Sequence, residues 1–535
     1  MKHYLSSFMA LAAVCIFIAC KKEKTTWDGD YTLPIAHTNL TLQNLLPDSM
    51  LQIDNNNVVS VDMHRKIVGF TVADLLKAPA TALADTIKSP AINLVVSAGA
   101  SLSNIIANKH LNIAGTSLRT LVLDHAALEV EFQNFIHEKL TINYTVNTST
   151  EQATGVPFVY NATVDAAPDN VLFSTNFFQK NLEQTTFHMT GANNLDYNAY
   201  QTSMSAVVNP AATASINISP KSVIGVLKTS FKDLKIKYAE GYLGHQEGEK
   251  EGDIAIDALQ NVQSGSLDIA NMNLDLNLKN TIGADAQIII TELVGINEHT
   301  GVAIPLQHTS IPGAININRA IKNSDNTAAI ASNYGISFTA NNSNLAAVLS
   351  NMPTKFHYKI KAVLNPFGNV AGSQDFVYGS SGVEVDLHLY GLNSMAAHQL
   401  TIADTIDAVI SDNEFWTNLQ QGSIKLLATN TIPHELSVSV VALDANGNYL
   451  QEIVANQTIQ PASFASNSTT MGMTIPQKST VLIPISPATK NNLLKTKKLI
   501  IKARLHTTNG ATLPWYSFYG LDIHLIAQGV YTQHL

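Results

Sequence analysis

The chain has 535 residues and a net charge of −9, with 45% apolar and only 14% charged residues. Its length accommodates about three domains, and the negative balance without a basic stripe speaks against a nucleic-acid partner. The charged fraction falls below the ~25% usual for soluble domains. Asn, Thr and Ser fill the gap, which suits an extracytoplasmic β protein better than a cytosolic enzyme.

The chain opens with Lys2 and His3, then an apolar stretch to Ala19. That stretch is short for a membrane-spanning helix, which needs ~20 residues, and reads as a secretory signal. Its end, Ile18-Ala19-Cys20, resembles a bacterial lipobox, with Phe17 where Leu is commoner. The resemblance implies cleavage before Cys20 and lipidation of that residue. The only other cysteine, Cys15, lies inside the signal. A mature chain with one blocked thiol and no disulfide fits an oxidising envelope compartment. Residues 1–19 are thus expected as a lipoprotein signal peptide and 20–30 as a lipidated tether, whose lysines can face lipid head groups.

From Met50 to Val146 the segments alternate or are short and apolar. Leu94–Val96 and Leu121–Leu123 are expected as buried strands, and Ser103–Ala107 as a helical piece. Residues 147–215, rich in Asn, Thr and Ala, read as exposed strands and loops. Phe231–Tyr238 alternates over its second half. Gly244–Asp253 is the most charged stretch. Its carboxylates suggest a divalent cation, but a calcium loop needs a ligand ladder closed by a bidentate Glu, so a solvated hairpin loop is expected. Ser343–Leu349 reads as an N-capped short helix and Phe356–Leu364 as a strand. Asp444–Asn448 resembles the start of a calcium loop, yet no Glu closes it, and Asn446-Gly447 between alternating runs predicts a hairpin turn. Lys498–Leu505 is a late strand. The aromatics of Trp515–Tyr519 are expected to pack in a core or between modules, with sugar stacking as the functional alternative.

One pattern occurs three times, at Leu128–Tyr144, Leu274–Ile290 and Ile424–Val440. Each copy has three alternate apolar positions, an Asn (Asn134, Asn280, Asn430), an Ile two residues later and a second alternating run. Alternation marks a strand with one buried face, and two such runs joined by a short link read as a strand-to-strand corner. Gly283 and Pro433 hold matching turn positions. The spacing matches the ~100–150 residues of a domain rather than a solenoid repeat. The fold class expected is mainly β: tandem antiparallel β-sandwich-like or barrel-like modules with few short helices, placed at 31–215, 216–335 and 336–535.

Trp27-Asp28, Pro34-Ile35-Ala36 with the Leu-rich 40–46 segment, Gly241-Tyr242-Leu243-Gly244, Asn365-Pro366-Phe367-Gly368, the repeat's Asn430-Thr431-Ile432-Pro433 and the closing Tyr516–Gln528 region resemble a group of outer-membrane-type lipoproteins of Bacteroidota. The resemblance touches most of the chain. Its motifs are structural, and no activity comes with them.

The search for chemistry finds no Gly-x-Ser-x-Gly elbow and no Walker loop. His137-Glu138 and His434-Glu435 begin like a zinc helix motif, but no second His follows. No catalytic, cofactor-binding or metal-ligating residue is nominated, no cofactor is expected, and the chain reads as non-enzymatic. Asp48-Ser49-Met50, Asp85-Thr86-Ile87 and Asp404-Thr405-Ile406 resemble the Asp-Ser/Thr-apolar sites that Bacteroidota use for O-glycosylation, which implies Ser49, Thr86 and Thr405 as acceptors. The leading expectation is a cell-envelope lipoprotein, anchored in the outer membrane, that binds or scaffolds an envelope protein or a glycan. Which membrane face it occupies stays open, because Lys21 and Lys22 precede a single acidic residue, Glu23. A lipid-binding or lipid-transfer protein with an apolar groove is the alternative. A glycan hydrolase would need a cleft with two carboxylates ~5–9 Å apart.

Overall fold

The structure is a computed structural model that describes residues 26–535 except 45, 47–49, 77–80, 114, 213–214, 257–263, 269–271, 392–393, 411–412, 467, 469, 508–511 and 535. The segment 1–19 expected as a signal peptide, Cys20 and Ser49 lie outside the described residues. The chain is mainly β, 62% strand and 6% helix, built of antiparallel sheets.

Three strands come first: β1 (Thr26–Thr41), β2 (Val59–Thr71) and β3 (Thr81–Lys88). They do not pair with one another. Then follow β4 (Ser101–His110), β5 (Ser117–Asn134), β6 (Leu140–Val146), β7 (Phe158–Val164), β8 (Ser174–Asn181), β9 (Ala199–Val208) and β10 (Val223–Tyr242). With β3 these make two sheets, in the orders β3-β10-β5-β8 and β4-β9-β6-β7. That is the strand order of an eight-stranded jelly roll.

The same order recurs twice. Strands β11 (Gln246–Ala255), β12 (Asn273–Asn280), β13 (Ala286–Asn297), β14 (Val302–Pro305), β15 (Gly313–Ile317), β16 (Ser332–Phe338), β17 (Lys355–Leu364) and β18 (Gly382–Gly391) take β2 as their first strand. Their sheets are β2-β18-β12-β16 and β11-β17-β13, with β14 and β15 sharing the far side of β13. Strands β19 (Ser394–Asp407), β20 (Leu419–Asn430), β21 (Glu435–Leu443), β22 (Tyr449–Ile459), β23 (Gln477–Pro484), β24 (Lys498–His506) and β25 (Gly520–His534) take β1. Their sheets are β1-β25-β20-β23 and β19-β24-β21-β22.

The three modules are therefore nested. The first lies within the β2-to-β11 connection of the second, and both lie within the β1-to-β19 connection of the third. The boundaries expected at 215/216 and 335/336 do not follow the sheets. Strand β10 completes the first module, β16 to β18 complete the second, and the segment from 26 to 71 belongs to the second and third. A linear division assumes that strands near in sequence share a sheet, and the N-terminal strands pair across most of the chain.

The alternating apolar positions of the repeat face inward: Leu128, Val130 and Phe132, Leu274, Leu276 and Leu278, and Ile424, Leu426 and Ala428 are all at most 2% exposed. The two sheets of the first module meet through Phe187 and Phe231 against Tyr200, with ring centroids 6.0 and 6.2 Å apart.

Three further expectations change. Ser103–Ala107 is extended, not helical, because it runs within β4 and pairs with Ala206–Thr202 of β9. Ala199–Val208 is not an exposed strand but an interior one with alternate residues buried. Gly244–Asp253 is not a hairpin loop. Most of it is edge strand β11, whose Glu247, Glu249, Glu251 and Asp253 make ion pairs with Lys361, Lys359, His357 and Lys355 of β17, each lying diagonally across the ladder. The period-2 acid pattern matches a period-2 basic pattern more than a hundred residues on, and opposite charges across strands stabilise the pairing. The short helix forms at Leu345–Ser350, though its N-cap residue Asn344 makes no side-chain cap; the strand at Lys355–Leu364, the turn at Asp444–Asn448 and the strand at Lys498–His506 form as expected.

Candidate functional site

The repeat is an architectural corner. It carries the chain from one sheet of each jelly roll to the other, between β5 and β6, β12 and β13, and β20 and β21. Asn134, Asn280 and Asn430 are 0% exposed. In each, Oδ1 accepts from the backbone N–H of Ile136, Ile282 or Ile432 at 2.8–2.9 Å. The amide nitrogen donates to Asp165 O, Asn318 O or Gln460 O at 2.9–3.0 Å. The same three Ile carbonyls accept from the backbone of Ala167, Ala320 and Ala462. Each Asn thus fastens its corner to a distant segment, with its polar atoms directed at backbone. Gly283 has no room for a side chain, since a Cβ there would lie 2.2 Å from the Phe376 ring. These groups are satisfied and buried, and they offer nothing to a ligand.

Other residues singled out by sequence have structural roles as well. Trp515, Tyr516 and Tyr519 are at most 3% exposed, and the Tyr519 hydroxyl donates to Gly472 O at 2.8 Å. His434 stacks near Trp515 and burial pushes its pKa down. His137 hydrogen-bonds Ala167 O. The Gly241–Gly244 and Asn365–Gly368 motifs come together. Asn365 donates to Gly244 O at 3.1 Å and to Asp375 Oδ2 at 2.8 Å, and Leu243 N–H donates to the same Asp375 oxygen. Asp375 is 1% exposed. Burial pushes its carboxyl above the usual carboxylate range, against the pull of these donors and of Arg319.

A concavity lies between residues of the first and second modules. It is a cleft of about 820 Å³, within the ~300–1,000 Å³ range of ligand sites. Its first wall is β10 where that strand leaves regular register with β5, between Lys232 and Tyr238. Asp233 there has φ of 51°. Bulges of this kind re-aim side chains, and Leu234, Lys235, Ile236 and Lys237 line the cleft. The second wall is the short helix Val72–Leu75. Its N-cap Thr71 and Asp74 form a reciprocal capping box, and Lys250 ties it to β11 through Asp74 Oδ2 at 2.9 Å. The Thr71 backbone N–H and Lys250 hold the Asp74 carboxyl below its usual range. The third wall is Thr327 with Tyr378–Ser380. The Tyr378 hydroxyl donates to Asn326 O at 2.6 Å, which fixes the ring.

The cleft floor is apolar, through Val72, Leu76, Leu234 and Ile236, and its rim carries Asp124, Lys235, Lys237, Thr327 and Ser380. Among the described residues the side chains of Asp124, Lys235 and Lys237 have no hydrogen-bond or ion-pair partner. The arrangement suits an extended polar ligand with apolar faces. Nothing in sequence marked it, because its walls come from segments some 300 residues apart and its mouth depends on one bulge.

Of the modification candidates, Thr86 on β3 and Thr405 on β19 are both exposed. The Asp of each tripeptide has a partner of its own. Asp85 pairs with Lys109, and Asp404 accepts from Thr38 at 2.6 Å. No helix among the described residues is long and apolar enough to cross a membrane.

The strand order and buried corners define the class: a mainly β protein of three nested jelly-roll modules. No family model matches the chain, and no curated protein matches it. Among solved structures it is similar to a protein from Parabacteroides distasonis described as secreted, at 12% identity and a TM-score of 0.28, over 53% of this chain and 89% of that one. An archaeal virus protein described as a triple jelly roll aligns at 9% identity and a TM-score of 0.10, over 82% and 90% of the two chains. A protein of infectious bursal disease virus aligns at 9% identity and a TM-score of 0.13, over 91% and 86%. At these scores the comparisons define no common fold, and the jelly rolls are defined by this chain's own strand pairing.

Proposed function

We propose that the chain is a non-enzymatic cell-envelope lipoprotein, held at the outer membrane through Cys20, whose nested jelly rolls present a binding surface for an envelope glycan or protein. The observation that carries this reading is the cleft between the first two modules. It has an apolar floor and a polar rim on which Asp124, Lys235 and Lys237 are unpartnered, which is the make-up of a recognition site. The alternative reading is a lipid-binding or lipid-transfer protein, with the apolar floor of the same cleft as its groove; stoichiometric phospholipid co-purifying with the chain would favour it, and lipid-free protein would count against it.

Two experiments test the reading. Labelling cells with a fatty-acid analogue is expected to tag the full chain and to leave the Cys20→Ser variant untagged; equal labelling removes the anchor. Glycans and proteins released from the cognate envelope are then titrated against the purified chain. Lys235→Ala with Lys237→Ala is expected to weaken the bound species ~10-fold or more without changing the melting temperature. Unchanged binding removes the cleft from the account. Exposed Thr86 and Thr405 are expected to carry glycan in protein from the native organism, and unmodified peptides from both positions rule that out.

A further inference from the structure

The outer face of the β2-β18-β12 sheet carries a second kind of chemistry, distant from the cleft in its residues and independent of it. Asp62 and His64 lie two apart on β2 and so share a face. His388 on β18 pairs directly with His64 across the ladder. The two imidazoles stack with centroids 3.8 Å apart and 12° between planes. His388 Nε2 lies 2.7 Å and His64 Nε2 3.2 Å from the same Asp62 Oδ1. The three ligand atoms lie within 4.8 Å of one another.

The surroundings hold these groups in place. The amide of Gln52, on the short strand Leu51–Ile53, donates to the other oxygen of Asp62, leaving Oδ1 toward the rings. Tyr390 stacks on the far face of His388 at 4.5 Å. On the next strand Asp275 stands directly opposite His388, and its Oδ1 is buried with no hydrogen-bond partner. A buried carboxylate oxygen without a partner is costly to leave unpaired, and a cation nearby would relieve that cost. The side chains of Asp62 and His388 are 24% and 22% exposed, while His64 is 68% exposed and open to solvent.

We propose that Asp62, His64 and His388 form a binding site for a divalent transition-metal ion of the zinc type, with water completing the coordination. Two imidazole nitrogens and one carboxylate oxygen within 4.8 Å of one another are a zinc-type donor set, and a small opening of the present hydrogen-bonded spacing would place each about 2.0–2.2 Å from an ion. Holding the carboxylate by an amide such as Gln52 orients a ligand before the metal arrives. The third module offers a related group, His37, Asp522 and His524, across β1 and β25. It repeats the Asp-x-His spacing, in Asp62-Met63-His64 and Asp522-Ile523-His524. It is the more open of the two, with side chains 38–58% exposed, and serves as the internal comparison.

The test is calorimetric titration of the full chain with zinc sulfate. Wild type is expected to show saturable binding in the micromolar range. His64→Gln and His388→Gln are each expected to weaken the tighter phase at least 10-fold, and Gln52→Ala by a smaller factor. His524→Gln is expected to leave that phase within twofold. His64 is exposed enough that its replacement leaves the fold intact, and thermal melts of each variant confirm this. The proposal is overturned by the absence of saturable uptake, by a His64→Gln isotherm that overlays wild type, or by loss of the tighter phase in His524→Gln alone.

Discussion

Asn280 sets the scale of what one residue does in this chain. Its side chain accepts from Ile282 N–H and donates to both Ala284 O and Asn318 O, all within a fully buried corner. Replacing it with Ala leaves several buried backbone groups unpaired, each costing about 1–3 kcal/mol. Asn280→Ala is therefore expected to lose about 2–4 kcal/mol in urea unfolding. Asn280→Asp is expected to fare no better, since a carboxylate cannot donate to the two carbonyls. A change below ~0.5 kcal/mol for both would mean that the corner does not depend on this residue. The position of the three asparagines was legible because it repeats with its flanking alternation. The partners were not, because Asp165, Asn318 and Gln460 follow at 31, 38 and 30 residues, and variable loops hide the correspondence. The His-Asp groups were missed for a similar reason: Asp62 and His64 are visible as a pair, but His388 stands opposite only once β2 and β18 are known to be neighbours.

Strand β11 shows how far an element can be misread from composition. Its charge pattern suggested a solvated loop, yet alternation at Glu247, Glu249, Glu251 and Asp253 was itself the strand signal. Charge on an edge strand also discourages pairing with other chains. Lys361, with His245, holds the Glu247 carboxyl below its usual range, and His357, with Lys355, does the same for Asp253. For a carboxylate lowered in the folded state, the stabilisation is present above the unfolded pKa and is lost as pH falls through the folded one. The melting temperature is thus expected to drop as pH falls below ~4, and less so in high salt, which screens exposed pairs. Lys359, raised by Glu249 and Glu251, works in the opposite sense, its stabilisation lost as pH rises through its folded pKa. Melts of wild type and Lys359→Ala from pH 3 to 7 check the carboxylate side, and melts carried above pH ~10 check the lysine side. A flat profile for wild type would show that the ladder contributes nothing to stability.

At the scale of the whole molecule, the β class and the threefold repetition were readable, and the nesting was not. Hydrophobic period gives each strand but not its partner when the two are separated by hundreds of residues. Thr26 pairs with His534 and Thr41 with Gly520, so the third core closes only when both ends of the chain meet. The second closes when β2 meets β18. The first module alone is nearly continuous, from β3 through β10, and it can form as soon as that stretch is made. Folding is therefore expected to proceed outward, each inner jelly roll lying within a connection of the next. The same plan places the first strand of every module within residues 26–88.

The most direct test of this arrangement is strand complementation of the third module. The fragment 394–535 has seven of its eight strands and lacks β1. Alone it is expected to show no cooperative unfolding transition. Adding a peptide of residues 26–41 in trans is expected to restore one, at a midpoint that rises with peptide concentration. Cooperative unfolding of 394–535 without the peptide, unchanged when it is added, would contradict the nested assembly.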